Sequence, residues 1–140
     1  MFCLDTNVVI FALNARRPRV SERLTEELDR GSRLIIPSIV LFELEYGIAK
    51  SRRSQQSRIL LRDFLSAGFE HPAFDAEDAR EAADIRAYLE GNGRPVGPFD
   101  YLIAAQARRR GAALVTLNRR EFDRIPGLLV TDWGGAERPT

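Results

Sequence analysis

At 140 residues and 44% hydrophobic content, the chain is long enough to bury a core as one domain, residues 1–140, without disulfide or metal staples. No apolar run approaches a membrane span, FCL after Met1 is too short for a signal-peptide core, and one cysteine and one histidine exclude an internal disulfide and His-rich zinc chemistry. The expectation is therefore a cytoplasmic protein. The net charge of +1 hides a bias, because Lys50 is the sole lysine among 21 basic residues.

The first strand is expected at FCL, followed by helices over 6–14 and 19–29 and a strand in RLIIP. Ser38 after Pro37 reads as the N-cap of a helix over 38–50, with a further helix over 53–67 and a weaker strand in FEH near residue 70. Helices over 75–91 and 98–110 flank the loop GNGRPVGP, and AALVTL and GLLVT complete the strands. Gly31, Gly91 and Gly111 read as helix stops. None of the strands alternates strictly, so both faces should be covered, as in parallel sheets. Strands and helices in this rhythm predict an α/β domain with a mostly parallel sheet between helices.

Open parallel sheets bind ligands beyond the carboxyl ends of their strands. Asp5 ends the first strand, and Thr116 and Asn118 end the strand reading ALVT, so adjacent strands would bring them to one edge. Asp100 shares a helical stripe with Ile103, Ala104 and Ala107, where an acid is costly unless an arginine, the helix N-terminus or a cation compensates it. The helix SIVLFELEYGIAK is apolar almost all round and carries both Glu43 and Glu45, between which periodicity does not choose. Asp5 alone also reads as an ordinary helix cap.

Oxygen donors dispersed in sequence, without His or Cys, favour a hard divalent cation, Mg²⁺ or Mn²⁺. Such an ion suits phosphodiester hydrolysis. Arginines gather at 52, 53, 58 and 62, at 108–110, and at 119, 120 and 124, which permits a nucleic-acid partner but equally describes solvated helix faces. The glycine spacing of GNGRPVG fits neither a Rossmann nor a P-loop site. Cys3 reads as a small core residue, and His71 is given no role.

LDTNVVI, SIVLFELEYG, GRPVGPFDYLIAAQA and LVTLNRREFDRIPGLLVTDW, in this order, resemble the PIN-domain ribonuclease toxins of the VapC type, from VapBC toxin–antitoxin systems. The resemblance covers essentially the whole chain. It implies a parallel sheet, usually five-stranded, in a three-layer sandwich, and a Mg²⁺- or Mn²⁺-dependent endoribonuclease. Its acidic site would comprise Asp5, Glu43 and Asp100, which selects Glu43 over Glu45. Asp5 and Asp100 would hold the metal, and Glu43 would hold it through water or act as the base. Thr116 and Asn118 would position water or a phosphate oxygen, with Asn7 in support.

Asn118 stands where many relatives carry Asp, so Glu121 or Asp123 are the alternative acids. The resemblance further implies structured RNA as substrate, commonly tRNA, and GRPVGPFD resembles the branch that cleaves initiator tRNA. It implies a small VapB-like antitoxin and a homodimer burying helices such as 38–50 and 75–91. On base rates Phe42, Tyr46 and Tyr88 are expected in the monomer core. The alternative function is a PIN scaffold that binds RNA or protein without turnover. A receiver-like or phosphatase-like domain ranks last, since the second acid such sites want is Asn7.

Overall fold

The computed structural model describes residues 1–135. Four short strands, β1 (Phe2–Leu4), β2 (Leu34–Ile35), β3 (Ala113–Val115) and β4 (Leu129–Thr131), form a parallel sheet in the order β2-β1-β3-β4. Around them run α1 (Thr6–Asn14), α2 (Pro18–Asp29), α3 (Ser38–Ala49), α4 (Ser54–Leu65), α5 (Ala76–Gly91), α6 (Pro98–Arg109) and the short α7 (Arg119–Phe122). Successive strand residues point to opposite faces. Cys3 and Leu4 are both fully buried, so helices cover both faces of the central strand β1.

The fifth strand expected at FEH shrinks to a single bridge, in which Glu70 pairs with Ile35 beyond the outer edge of β2. Glu70 N–H donates to the Leu34 carbonyl and Ile36 N–H to the Glu70 carbonyl, both at 2.9 Å. His71 and Pro72 then leave the ladder, proline having no amide to continue it. His71 Nδ1 lies 3.0 Å from the Ile36 carbonyl, a contact that closes this loop against the sheet edge.

Local chemistry explains most helix boundaries, with a few corrections to the expected ones. Pro18 and Pro98 occupy the first turns of α2 and α6, where the missing amide costs nothing. Pro37 takes the cap position of α3, and the Ser38 hydroxyl instead accepts a hydrogen bond from Phe74 N–H at 3.1 Å. Gly91 is still helical. The chain turns at Gly93, whose φ of 69° is the left-handed region that glycine adopts without a Cβ clash. The helix α7 was not expected, being too short for a periodic signal.

Phe42, Tyr46 and Tyr88 are 52%, 59% and 50% exposed, which overturns their expected place in the core. An almost uniformly apolar α3 has more hydrophobic faces than one monomer can cover: it buries Val40, Leu44 and Ile48 and leaves Phe42 against the Phe99 ring, centroids 5.4 Å apart. Cys3 is core, as expected, and burial pushes its thiol far above the ordinary range, so it is no nucleophile.

Candidate active site at the sheet's switch point

The chain leaves β1 toward β2 on one side, while β3 lies on the other, so the strand order reverses between β1 and β3. Crevices open at such switch points beyond the strands' carboxyl ends. Leu4 is in register with Val115, which sets the residues that follow, Asp5 and Thr116, side by side. Thr116 Oγ1 donates to Asp5 Oδ2 at 2.8 Å, and both residues are buried. Asp5 Oδ1 accepts from Thr6 N–H at 2.8 Å, so Asp5 also caps α1. Cap and site are the same carboxylate.

Glu43 reaches this edge from α3. Its Oε1 accepts from Thr6 Oγ1 at 2.7 Å, which links the first turn of α1 to α3. Glu45, two residues on, faces away and pairs with Arg58 at 2.7 Å on the exposed surface. Asp100 stands in the first turn of α6, with Ile103, Ala104 and Ala107 of its stripe fully buried, as the spacing predicts.

Electrostatics bind the group together. Burial raises the Asp100 carboxyl to about 6, the charges of Asp5, Glu121 and Glu43 push in the same direction, and the Gly97 amide only partly offsets them. Burial also raises Asp5, against the hydrogen bonds from Thr116 and Thr6, and Glu43 adds to the rise. Among the described residues no arginine or lysine forms an ion pair with Asp5, Glu43 or Asp100.

Of the other candidate residues, Thr116 is central, and its hydroxyl also accepts Asn118 N–H at 3.0 Å. The Asn118 side chain is exposed at the start of α7 and makes no capping bond. Glu121 is half-buried and close enough to act on Asp100, whereas Asp123 is exposed and faces Arg119 at 3.5 Å. Asn7 is exposed and has no hydrogen-bond partner among the described residues. Sequence reasoning missed Thr6, because a threonine between Asp5 and Asn7 carries no periodic or spacing signal of its own.

Mutually repelling, partly desolvated carboxylates with hydroxyls between them, unpaired with any cation among the described residues, fit a hard divalent cation. Among the described residues no three acid, His or Cys side chains are grouped so as to hold a metal ion by themselves. An ion here would rest on one or two carboxylates and keep several waters, a coordination Mg²⁺ commonly adopts.

Comparisons with known proteins agree with this geometry. The tRNA(fMet)-specific endonuclease VapC of Shigella flexneri is 42% identical over 132 residues, covering 94% of this chain and 97% of that protein. The crystal structure of VapBC2 from Rickettsia felis bound to a promoter DNA fragment contains a chain that superposes with a TM-score of 0.86 at 35% identity, covering 93% of this chain and 96% of that one. The DNA-bound VapBC from Salmonella typhimurium gives 0.85 at 39% identity, with coverages of 94% and 97%. The model of the PIN domain matches residues 2–128, and with Asp5, Glu43 and Asp100 all inside that span the chain belongs to the PIN domain family.

Proposed function

We propose that this chain, acting as one domain over 1–140, is the toxin of a VapBC-type toxin–antitoxin pair, a divalent-metal-dependent endoribonuclease that cuts initiator tRNA in the cytoplasm. The observation that carries this reading is the group Asp5, Glu43 and Asp100 at the switch point, none of them paired with a cationic side chain among the described residues. The substrate follows the relatives named for tRNA(fMet), at 42% and 40% identity over nearly the whole chain.

In this mechanism Asp5 and Asp100 would hold Mg²⁺ or Mn²⁺, and Glu43 would hold it through water or accept the proton of the attacking water. Bound there, such a cation would supply Lewis acidity to the phosphate and charge for the leaving oxygen. Thr116 fixes the rotamer of Asp5, and Thr6 fixes that of Glu43, so both carboxylates are aimed before substrate arrives. Asn118 presents a neutral amide at the rim, where it positions water or a phosphate oxygen. Glu121, and not Asp123, supplies the fourth negative charge.

A groove of about 270 Å³ between α1, α3 and α4 ends at Glu43 and is lined by Ile10, Leu13, Leu44, Ile48, Leu60 and Leu61 among others. An apolar groove of this kind fits the amphipathic segment of a VapB-like antitoxin, and an arginine at that segment's end would neutralise the acids. A second copy of the chain would cover α3 at Phe42 and Tyr46 and the start of α6 at Phe99.

The test is cleavage of total cellular RNA by antitoxin-free protein in Mg²⁺, Mn²⁺ or EDTA, alongside Asp100→Asn. Metal-dependent cuts that map to initiator tRNA and vanish in Asp100→Asn are expected. Cuts that persist in EDTA or in the variant would sink the proposed site. Folded wild type that binds RNA but never cuts it would favour the non-catalytic scaffold.

A further inference from the structure

Three arginines stand beside the acidic site without a carboxylate of their own. Arg94 lies in the loop that leads into α6 and Asp100, while Arg120 and Arg124 lie one turn apart and flank Glu121. They share one open cleft of about 530 Å³, also lined by Asp123, which faces Arg119. Among the described residues, Arg94, Arg120 and Arg124 make no side-chain hydrogen bond or ion pair. By contrast Arg108, Arg109 and Arg110, equally clustered in sequence, are all held by Glu81, Asp75, Glu77 or Asp78. Arg94 and Arg124 also line an adjoining cavity with Tyr88, Leu89 and Asn92, and Tyr88 is half exposed there.

Guanidiniums gathered without counter-ions repel one another and persist where an anion is recruited. The runs 94–100 and 118–124, which carry the cleft's arginines, also carry Asp100 and Glu121 of the acidic site. An anion in the cleft would therefore be held by the same two runs of chain that carry these acids. The exposed ring beside the guanidiniums is the usual complement for an unstacked base. We infer that Arg94, Arg120, Arg124 and Tyr88 form a nucleotide subsite flanking the cleavage position, with the arginines on one backbone phosphate and Tyr88 stacked on the adjoining base of single-stranded RNA. Recognition here is of backbone and π-face, so it orients the strand and tolerates sequence. The inference rests on the endoribonuclease reading, and it deepens that reading by naming how the strand is held.

The test separates binding from cutting. A fluorescent single-stranded oligoribonucleotide is titrated in EDTA with wild type, Arg94→Ala, Arg120→Ala, Arg124→Ala, Tyr88→Ala and Tyr88→Phe, with Arg80→Ala on the distant half of α5 as the control. Each of the three arginine variants should weaken binding several-fold and lower the slope of log K against log salt by about 0.7 per guanidinium lost. Tyr88→Ala should weaken binding about tenfold with the slope unchanged, while Tyr88→Phe retains it, as expected for stacking.

Wild-type affinity and slope in the three arginine variants would overturn the subsite, as would a wild type that does not bind the oligonucleotide at low salt. Equal losses in Arg80→Ala would reduce the effect to net charge and overturn it too. Unchanged RNA binding with lost affinity for an acidic antitoxin segment would assign the cleft to the antitoxin. Arginine-dependent binding by a protein that never cuts RNA would keep the subsite and reject the nuclease.

Discussion

The Thr116 hydroxyl donates to Asp5 Oδ2 at 2.8 Å across 111 positions of sequence, and that bond holds the site's innermost carboxylate in one rotamer. A second hydroxyl, Thr6 Oγ1, does the same for Glu43 at 2.7 Å. Each threonine accordingly acts through the acid it touches. Thr116→Val removes the donor to Asp5 and orphans Asn118 N–H, so it should cost about 1–3 kcal/mol of stability and reduce cleavage at least tenfold. Asp5 would then titrate higher, which moves the acidic limb of the pH–rate profile upward, and Thr116→Ser should restore both. A pH profile identical to wild type in Thr116→Val would refute the positioning role.

The raised Asp100 carboxyl makes a prediction about stability whose sign is opposite to the usual one for an acid. Its folded value of about 6 lies above the ordinary 3.8, so between these limits the folded protein holds a proton that the unfolded chain has released. Stability should therefore fall as pH rises through this window and stay lowered at neutral pH. After discounting for partial solvent exposure the cost is on the order of 1–2 kcal/mol. Asp100→Asn should accordingly melt about 3–8 °C higher than wild type in EDTA at pH 7.5, while losing all cleavage. Mg²⁺ should raise the melting temperature of wild type at pH 7.5, less so at pH 5, and hardly at all in Asp100→Asn. A variant that melts lower in EDTA would contradict the electrostatic account.

Most of the architecture was legible because β1, β3 and the long helices carry continuous patterns. Apolar runs bounded by Gly and Pro gave the strands, and the stripe through Asp100, Ile103, Ala104 and Ala107 correctly placed an acid on a buried face. What failed was local or quaternary in origin. FEH has strand composition, yet pairs at Glu70 alone because proline follows two residues later. Phe42 and Tyr46 look like core, yet α3 has apolar residues on every side and the monomer covers only some of them. Periodicity left Glu43 and Glu45 equivalent, and the choice came from the family resemblance. In the structure the two differ in their partners, Glu43 accepting from Thr6 beside Asp5 and Glu45 pairing with Arg58.

That asymmetry between Glu43 and Glu45 is directly measurable. Glu43→Gln keeps the shape and can still accept from Thr6, but loses the charge and the basicity, so cleavage should drop by about 10²–10⁴ with little change in melting temperature. Glu45→Gln removes an exposed pair with Arg58, worth about 0–1 kcal/mol, and should cleave like wild type. Comparable losses in both variants, measured as initial rates on the same RNA, would mean that α3 presents the other glutamate to the substrate.

The far end of α6 offers the last prediction, because the helix that carries Asp100 is anchored there by a buried carboxylate. The Asp78 side chain is fully buried, and Arg109 Nη1 and Arg110 Nη1 each donate to its Oδ1 at 3.0 Å. Asp75 and Asp78 close a reciprocal capping box at the start of α5, so one network fixes both the helix start and the α5–α6 contact. Burial pushes Asp78 up, but the bonds from Arg110, the Asp75 turn and Arg109 together hold it below the usual range. Arg109, aided by the Asp78 amide, lowers Asp75 to about 2.

Both shifts are depressions, so this stabilisation is fully present above the ordinary carboxylate value of 3.8 and is lost as pH falls toward about 2. Asp78→Asn should destabilise by about 3 kcal/mol, because it leaves the Arg110 guanidinium without its charge partner, while Arg109 keeps Asp75 and Glu77. Combined with Arg110→Gln, the loss should be less than the sum of the single losses, as expected of residues in one network. Cleavage by folded Asp78→Asn should weaken only modestly and keep the wild-type Mg²⁺ dependence, since the acid lies at the opposite end of α6 from Asp100. If denaturant melts give additive losses instead, Asp78 contributes through its cap on α5 alone and the bridge to α6 is energetically idle.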